Sequence, residues 1–386
     1  MMTATTVSTE AAARAPSAPA PAATVAEALA QFRVFRSRPL ANGFAALPWA
    51  MLGIAAALEI ALALSGQPFD LMFAIGVLAA ALSIGLMGTL FAQFPRALID
   101  LRHRNLLRAR ETEGDAAAET RLVTFLAESE ALLNHSLGLL FGLAGTIVVV
   151  AVFWPFGVGA PSEWAEALAR YPSAWLGVLF YLVVYSLGFG AGYLIWRPVA
   201  LAIRLAKSGE AFEFDLSLEN PDGCGGLKPL GDLGLGIALI LAGPAIFLGG
   251  WAFALSAHFV QPRGLDGGRL PFAGLAALCA ALALAGFFWP LWGVSRAMRR
   301  RRAQVRNQLD SLGRQIDQLA KSLLDNAERL DPAEGRAQEE KLEFLRRVYA
   351  RNRRVPVWPF NAVTLLELLA LQLVPLAGII AVLILP

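Results

Sequence analysis

The sequence predicts an all-α protein that crosses a membrane about seven times and carries helical hairpins on the cytoplasmic side. Of its 386 residues, 56% are hydrophobic and 16% are charged, whereas a soluble domain carries about a quarter charged residues. Seven apolar runs are each close to the length of about 20 residues that a helix needs to cross a bilayer. The basic residues are also very unevenly divided among the segments between these runs. A large soluble helical protein is the alternative, and seven runs of this length argue against it.

The uneven distribution of Lys and Arg predicts the orientation. One alternate set of connecting segments holds 30 of the 33 basic residues, and the other set holds three. Because basic flanks stay on the cytoplasmic side, we expect a cytoplasmic N-terminus and a C-terminus outside. The Ala-, Leu-, Arg- and Gly-rich composition favours a bacterial inner membrane. The predicted spans are 43–65, 71–94, 136–156, 174–196, 233–257, 271–295 and 361–385.

The first half of the chain divides into four predicted parts. An Ala/Pro-rich tail, 1–30, has the composition of a disordered segment. A transmembrane hairpin of spans 1 and 2 follows at 31–94. Segment 95–135 is predicted to be a cytoplasmic helical hairpin, and 136–196 contains spans 3 and 4.

The second half begins with a cytoplasmic loop, 197–232. Residues 212–218 alternate in polarity like a short strand, and 220–226 is rich in turn-forming residues. Spans 5 and 6 then occupy 233–295.

The longest soluble segment is 296–360. Its first half carries a seam of apolar residues at spacings of 4, 3, 4, 3 and 4, which predicts a coiled coil. Asp331 and Pro332 are typical of the start of a second helix. We therefore expect an antiparallel hairpin, followed by span 7 in 361–386. The seam consists of Val305, Leu309, Leu312, Ile316, Leu319 and Leu323.

Small residues and prolines predict how the spans pack. Pro244 in span 5 and Pro290 in span 6 predict kinks. Two small-residue motifs predict close helix approach, and they are Gly138 with Gly142 and Gly188 with Gly192.

Intramembrane polar residues are the first functional candidates. Glu59 lies in the outer half of span 1, and Glu367 lies in the inner half of span 7. Because a charge inside a bilayer is costly, each acid is a candidate for an ion or proton path, with Gln372 between them in depth. Their different depths argue against a shared-proton pair. Two other interpretations stay open: each acid is protonated and bonds a neighbouring span, or it reaches towards the nearer interface.

The loop around 220–226 offers a second candidate. In a catalytic site, Cys224 would be a nucleophile or Asp222 would be a base, but no His partner lies nearby in sequence. A ligand-binding loop at the membrane surface and a tight structural turn are the alternatives. The sequence predicts no catalytic residue, metal site or cofactor.

A run of four arginines directly follows span 6. Such a juxtamembrane run attracts anionic lipid headgroups, although fixing the topology is a sufficient role. The four residues are Arg299, Arg300, Arg301 and Arg302.

Two functions remain open from the sequence. The first is an oligomeric channel or transport-type protein whose cytoplasmic hairpins assemble or gate it. The second is a non-conducting membrane scaffold or sensor that docks a partner through 296–355. An intramembrane enzyme acting on lipid is a weaker third, and no Walker A or Rossmann motif is present. Expected partners are membrane lipid and either further copies of the chain or another protein, and no nucleic acid.

Overall fold

The computed structural model describes most of the chain outside its N-terminal tail. It describes residues 27, 32, 38–64, 71–108, 115–153, 173–216, 220–257, 269–325, 332–352 and 356–385. The predicted tail, 1–30, therefore lies outside the described residues apart from residue 27.

The described part is nearly all helical, as predicted. Two-residue strands β1 and β2 form a small antiparallel pair in which Leu107 faces Phe214 and Arg108 faces Glu213. The elements in chain order are α1 (Arg38–Leu64), α2 (Leu71–His103), β1 (Leu107–Arg108), α3 (Asp115–Leu133), α4 (Leu137–Phe153), α5 (Ala174–Ala211), β2 (Glu213–Phe214), α6 (Lys228–Ser256), α7 (Arg269–Asp325), α8 (Pro332–Asn352), α9 (Ala362–Leu371) and α10 (Leu373–Ile384).

Five helical segments in the described residues are long and apolar enough to cross a membrane. Many large apolar side chains on them are exposed, among them Leu139, Ile147 and Leu383. Soluble monomers rarely expose so much apolar surface, so this surface suits a lipid environment. The five segments are Gly76–His103, Ala117–Val150, Lys228–Ser256, Leu270–Asp325 and Ala362–Ile384. The other two predicted spans fall on α1 and α5, where part of the side chains lies outside the described residues.

Helix α6 is the centre of the bundle and contacts α2, α5, α7, α9 and α10. Leu230, Ile237 and Ala238 are each at most 1% exposed. Gly249 of α6 lies against Gly378 of α10, where an added Cβ on either residue would meet the other helix's backbone. Small residues therefore bring the helix backbones into contact, as expected where lipid supplies no hydrophobic drive for association.

Segment 95–135 contains the end of α2, strand β1 and helix α3, and the turn expected near 113–115 begins outside the described residues. Helix α2 continues to His103, the chain turns at Asn105 with φ 56°, and β1 follows. The second arm, α3, packs mainly against α5. Arg204 of α5 explains this placement, because its guanidinium bonds Glu128 Oε2 at 2.7 Å and Ser129 Oγ at 3.2 Å.

Helix α7 extends well beyond the bundle. It runs without interruption for 57 residues, about 85 Å at 1.5 Å per residue. Helix α8 begins at Pro332, as predicted, and packs against α7. Ile316 and Leu342 are each 8% exposed at their contact face. We call residues 303–352 the arm, and we call the end of the bundle from which it leaves the arm end.

Candidate functional site

The helix of span 7 is locally tightened at Gln372. Span 7 is predicted as one helix, and α9 and α10 together form one helical segment, Ala362–Ile384, in which Gln372 keeps a right-handed helical backbone with φ −87° and ψ −9°. The Gln372 N–H donates to Leu369 O at 3.0 Å, a tightened turn, and Pro375 has no N–H to donate to the Leu371 carbonyl. Asn361 caps the start of α9 by accepting from Thr364 N at 3.0 Å. Pro375 is the sequence feature that could have predicted this tightened turn.

Gln372 is a buried amide with unsatisfied hydrogen-bonding groups. Its residue is 6% exposed, and neither Nε2 nor Oε1 has a hydrogen-bond partner in the described part of the chain. Burying such a group without a partner costs on the order of 2 kcal/mol or more. The Gln372 amide is therefore the buried polar side chain of span 7 whose hydrogen-bonding groups the described residues do not satisfy.

Glu367 does not join Gln372. It is exposed on the bundle surface, one turn before the tightened turn. It lies close enough to Lys228 to act on it electrostatically, and Lys228 Nζ also contacts Asp232 at 2.8 Å. Glu367 thus belongs to a charged surface group at the arm end, which fits the interpretation that it reaches towards an interface.

Glu59 lies on α1, and its side chain is outside the described residues. A role for Glu59 in an ion or proton path therefore stays a prediction.

Asp222 organises the loop that precedes α6. Its Oδ1 accepts from Cys224 N at 2.8 Å and Gly226 N at 3.1 Å, and its Oδ2 accepts from Lys228 N at 3.3 Å. Gly225 and Gly226 have φ of 69° and 88°, a conformation that favours glycine. The carboxylate is occupied by its own loop, which favours the structural turn over a catalytic base.

Cys224 is fully buried under this turn. Burial, with a smaller contribution from Asp222, raises the pKa of the Cys224 thiol to about 11. A protonated, inaccessible thiol is a poor nucleophile. Cys224 and Asp222 therefore belong to a compact structural turn at the arm end.

The four arginines after span 6 separate into different roles. Arg301 donates to Asp215 Oδ1 at 3.1 Å and to Gln304 Oε1 at 3.2 Å. The Arg299 guanidinium lies over the rings of Trp292 and Trp358, at 5.7 and 5.6 Å from their centroids.

Arg300 and Arg302 are exposed on the same helix, and neither has an ion-pair partner in the described residues.

Asp215 is the residue at the arm end that the sequence interpretation missed. It follows β2, and its carboxylate bridges Arg108 of β1 at 2.8 Å and Arg301 of α7 at 3.1 Å. Its N–H donates to Leu106 O at 3.0 Å. One carboxylate therefore ties the strand pair to the base of the arm.

Within the described ranges, no group of three or more His, Cys, Asp or Glu side chains is placed to hold a metal ion. Comparison with known proteins adds no family to this description. No protein-family model, no curated protein and no solved structure matches the chain.

Proposed function

We propose that this chain is a multi-pass protein of a bacterial inner membrane, with seven spans and the arm end in the cytoplasm. Each of the seven predicted spans coincides with a helix or helix pair, and five segments are long and apolar enough to cross. At the arm end, Arg108 of segment 95–135 and Arg301 of segment 296–360 meet at Asp215. This placement agrees with the rule that basic flanks stay on the cytoplasmic side.

We further propose that the protein is of channel or transport type, and Gln372 is the observation that carries this. It lies 11 residues after Asn361, or about 16 Å along the span, near the middle of a hydrocarbon core of about 30 Å. A tightened helical turn at this depth is tolerated where neighbouring helices bury it, and a buried polar side chain inside a membrane marks a candidate position on an ion or solute path. The unsatisfied amide supplies the polar contact for a passing ion or solute.

Flux through proteoliposomes tests this proposal. Purified protein is reconstituted, and potassium, proton and chloride movements are followed with ion-sensitive dyes. We expect flux of at least one ion above protein-free vesicles. Gln372→Leu, which keeps the volume and removes the amide, lowers it about tenfold or more, the effect of losing one polar contact of about 1.4 kcal/mol.

Leu376→Ala is the matched control, because Leu376 is 49% exposed one turn further along α10. It is expected to conduct like the unaltered protein. Flux at the vesicle background for all three ions, or full flux in Gln372→Leu, contradicts the proposal.

A scaffold or sensor is the second candidate, and the arm favours it. Phe344 and Leu324 are 58% and 79% exposed on the arm, and an exposed apolar surface away from the bundle suits docking of a partner or of another copy. Affinity capture with full-length protein and with a variant lacking 303–352 tests this. An identical set of captured proteins in both contradicts it.

A further inference from the structure

The inward face of α7 explains why Arg301 stands apart in its run. Val294 and Met298 are completely buried, and Arg301 follows them at the spacing of 4 and 3 residues that marks one helix face. Arg301 therefore lies on the same helix face as these buried residues, and its partly exposed side chain contacts Asp215.

The opposite face presents basic and aromatic side chains together. Trp292, Arg296 and Arg299 also follow one another at spacings of 4 and 3, and all three are exposed. Trp358, from the segment before α9, packs against Trp292 with ring centroids 6.2 Å apart. Arg300 is exposed beside this stripe.

We propose that Arg296, Arg299 and Arg300, with Trp292 and Trp358, bind the headgroup of an anionic phospholipid. This inference rests on the proposed membrane location, and it is independent of whether the protein conducts.

The chemistry of this face selects that ligand. None of the three arginines has an ion-pair partner within the described residues, so their positive charge is available to an external anion. Tryptophan is enriched at the headgroup level of membranes, and the two rings hold the Arg299 guanidinium at that level. Arg301 lies in the same run, but it is paired with Asp215 on another face of the helix, and it is outside the site.

Native mass spectrometry of the full-length protein in detergent tests the inference. Phosphatidylglycerol or phosphatidylcholine is titrated in, and the bound lipid is counted. We expect selective retention of phosphatidylglycerol. Arg299→Ala/Arg300→Ala weakens it about thirtyfold, since one juxtamembrane basic residue is worth about fivefold in affinity for an anionic surface.

Two variants control for lost charge. Arg314→Ala/Lys321→Ala removes two exposed charges from the arm, at least 15 residues from Arg299, which is about 22 Å along the helix and beyond the Debye length of about 8 to 10 Å. It is expected to bind like the unaltered protein, whereas Arg301→Ala, which removes an arginine paired with Asp215, is expected to weaken retention less than Arg299→Ala/Arg300→Ala does.

Four outcomes overturn the inference. These are unchanged retention in Arg299→Ala/Arg300→Ala, equal loss in the distant double variant, equal retention of phosphatidylcholine, and displacement of the lipid by inorganic phosphate. Ion flux measured on the same variants separates this result from the proposed function, because lipid retention can be lost with flux intact, or flux can be absent with lipid retained.

Discussion

Arg299 and Arg301 are two positions apart in a run of four arginines, yet they meet different surroundings. Two positions along a helix turn a side chain by about 200°, so Arg301 reaches Asp215 and Arg299 lies on two tryptophan rings. Identical residues of one run therefore lie on different faces of the helix, one towards Asp215 and one towards the two tryptophans.

Replacing Asp215 by Asn is expected to loosen the arm end. The change removes the charge that Arg108 and Arg301 share, while the backbone bond to Leu106 is kept. Because all three side chains are partly exposed, we expect a loss of about 1 kcal/mol in the free energy of unfolding. Thermal unfolding in detergent measures it, and the loss shrinks at high salt.

Asp310→Asn provides the comparison, since Asp310 is exposed on the arm without an ion-pair partner in the described part. Equal unfolding temperatures for the two variants would show that the bridge contributes no stability.

Helices α4 and α5 contact one another through glycine residues. The predicted motifs lie at this contact, which confirms the close approach expected from them. A Cβ on Gly192 would collide with the carbonyl of Phe141, and one on Gly145 would collide with that of Gly188. Any larger residue must push the two backbones apart.

A single methyl group tests this contact. Gly192→Ala is expected to destabilise the protein by about 1 to 3 kcal/mol through overpacking. Gly190→Ala, on the same helix, places its Cβ in open space and is expected to be neutral or stabilising by up to about 1 kcal/mol. Comparable unfolding temperatures for the two variants would refute the close packing.

The helices and their ends could be predicted because their signals are local. Apolar runs, the proline that begins α8 and the alternation that forms β2 each act within a few residues. Contacts between distant residues could not be predicted this way. Arg301 meets Asp215 across 86 positions, and Arg204 meets Glu128 across 76. Helices α6 and α7 continue through Pro244 and Pro290, while span 7 has a tightened turn at Gln372, three residues before Pro375.

At the scale of the whole molecule, charge is concentrated at one end. Of the 30 basic residues on the predicted cytoplasmic side, sixteen lie in 296–360, the segment that includes the arm. The bundle itself is apolar, so the molecule has a charged end and an apolar body. This division underlies the proposed orientation.

Labelling of single cysteines tests the orientation. In a background with Cys224→Ala and Cys279→Ala, Ser311→Cys marks the arm and Leu385→Cys marks the end of α10. A membrane-impermeant maleimide is expected to label only Leu385→Cys in intact spheroplasts, and to label both after permeabilisation. The reverse pattern would invert the orientation, and labelling of both sites from outside would contradict a crossing of the membrane by span 7.

The uninterrupted course of α7 has a mechanical consequence. Beyond Arg296 the helix continues for 29 residues to Asp325, a rod of about 44 Å. A tilt of about 5° at its base displaces the tip by about 4 Å, so a small rotation among the bundle helices becomes a displacement comparable to a side-chain contact. Asp215 contacts this helix at Arg301, near the base of the arm. A contact at the base restrains the helix where its displacement on tilting is smallest. The far end of the arm is therefore the part of α7 that moves farthest when the angle of the helix within the bundle changes.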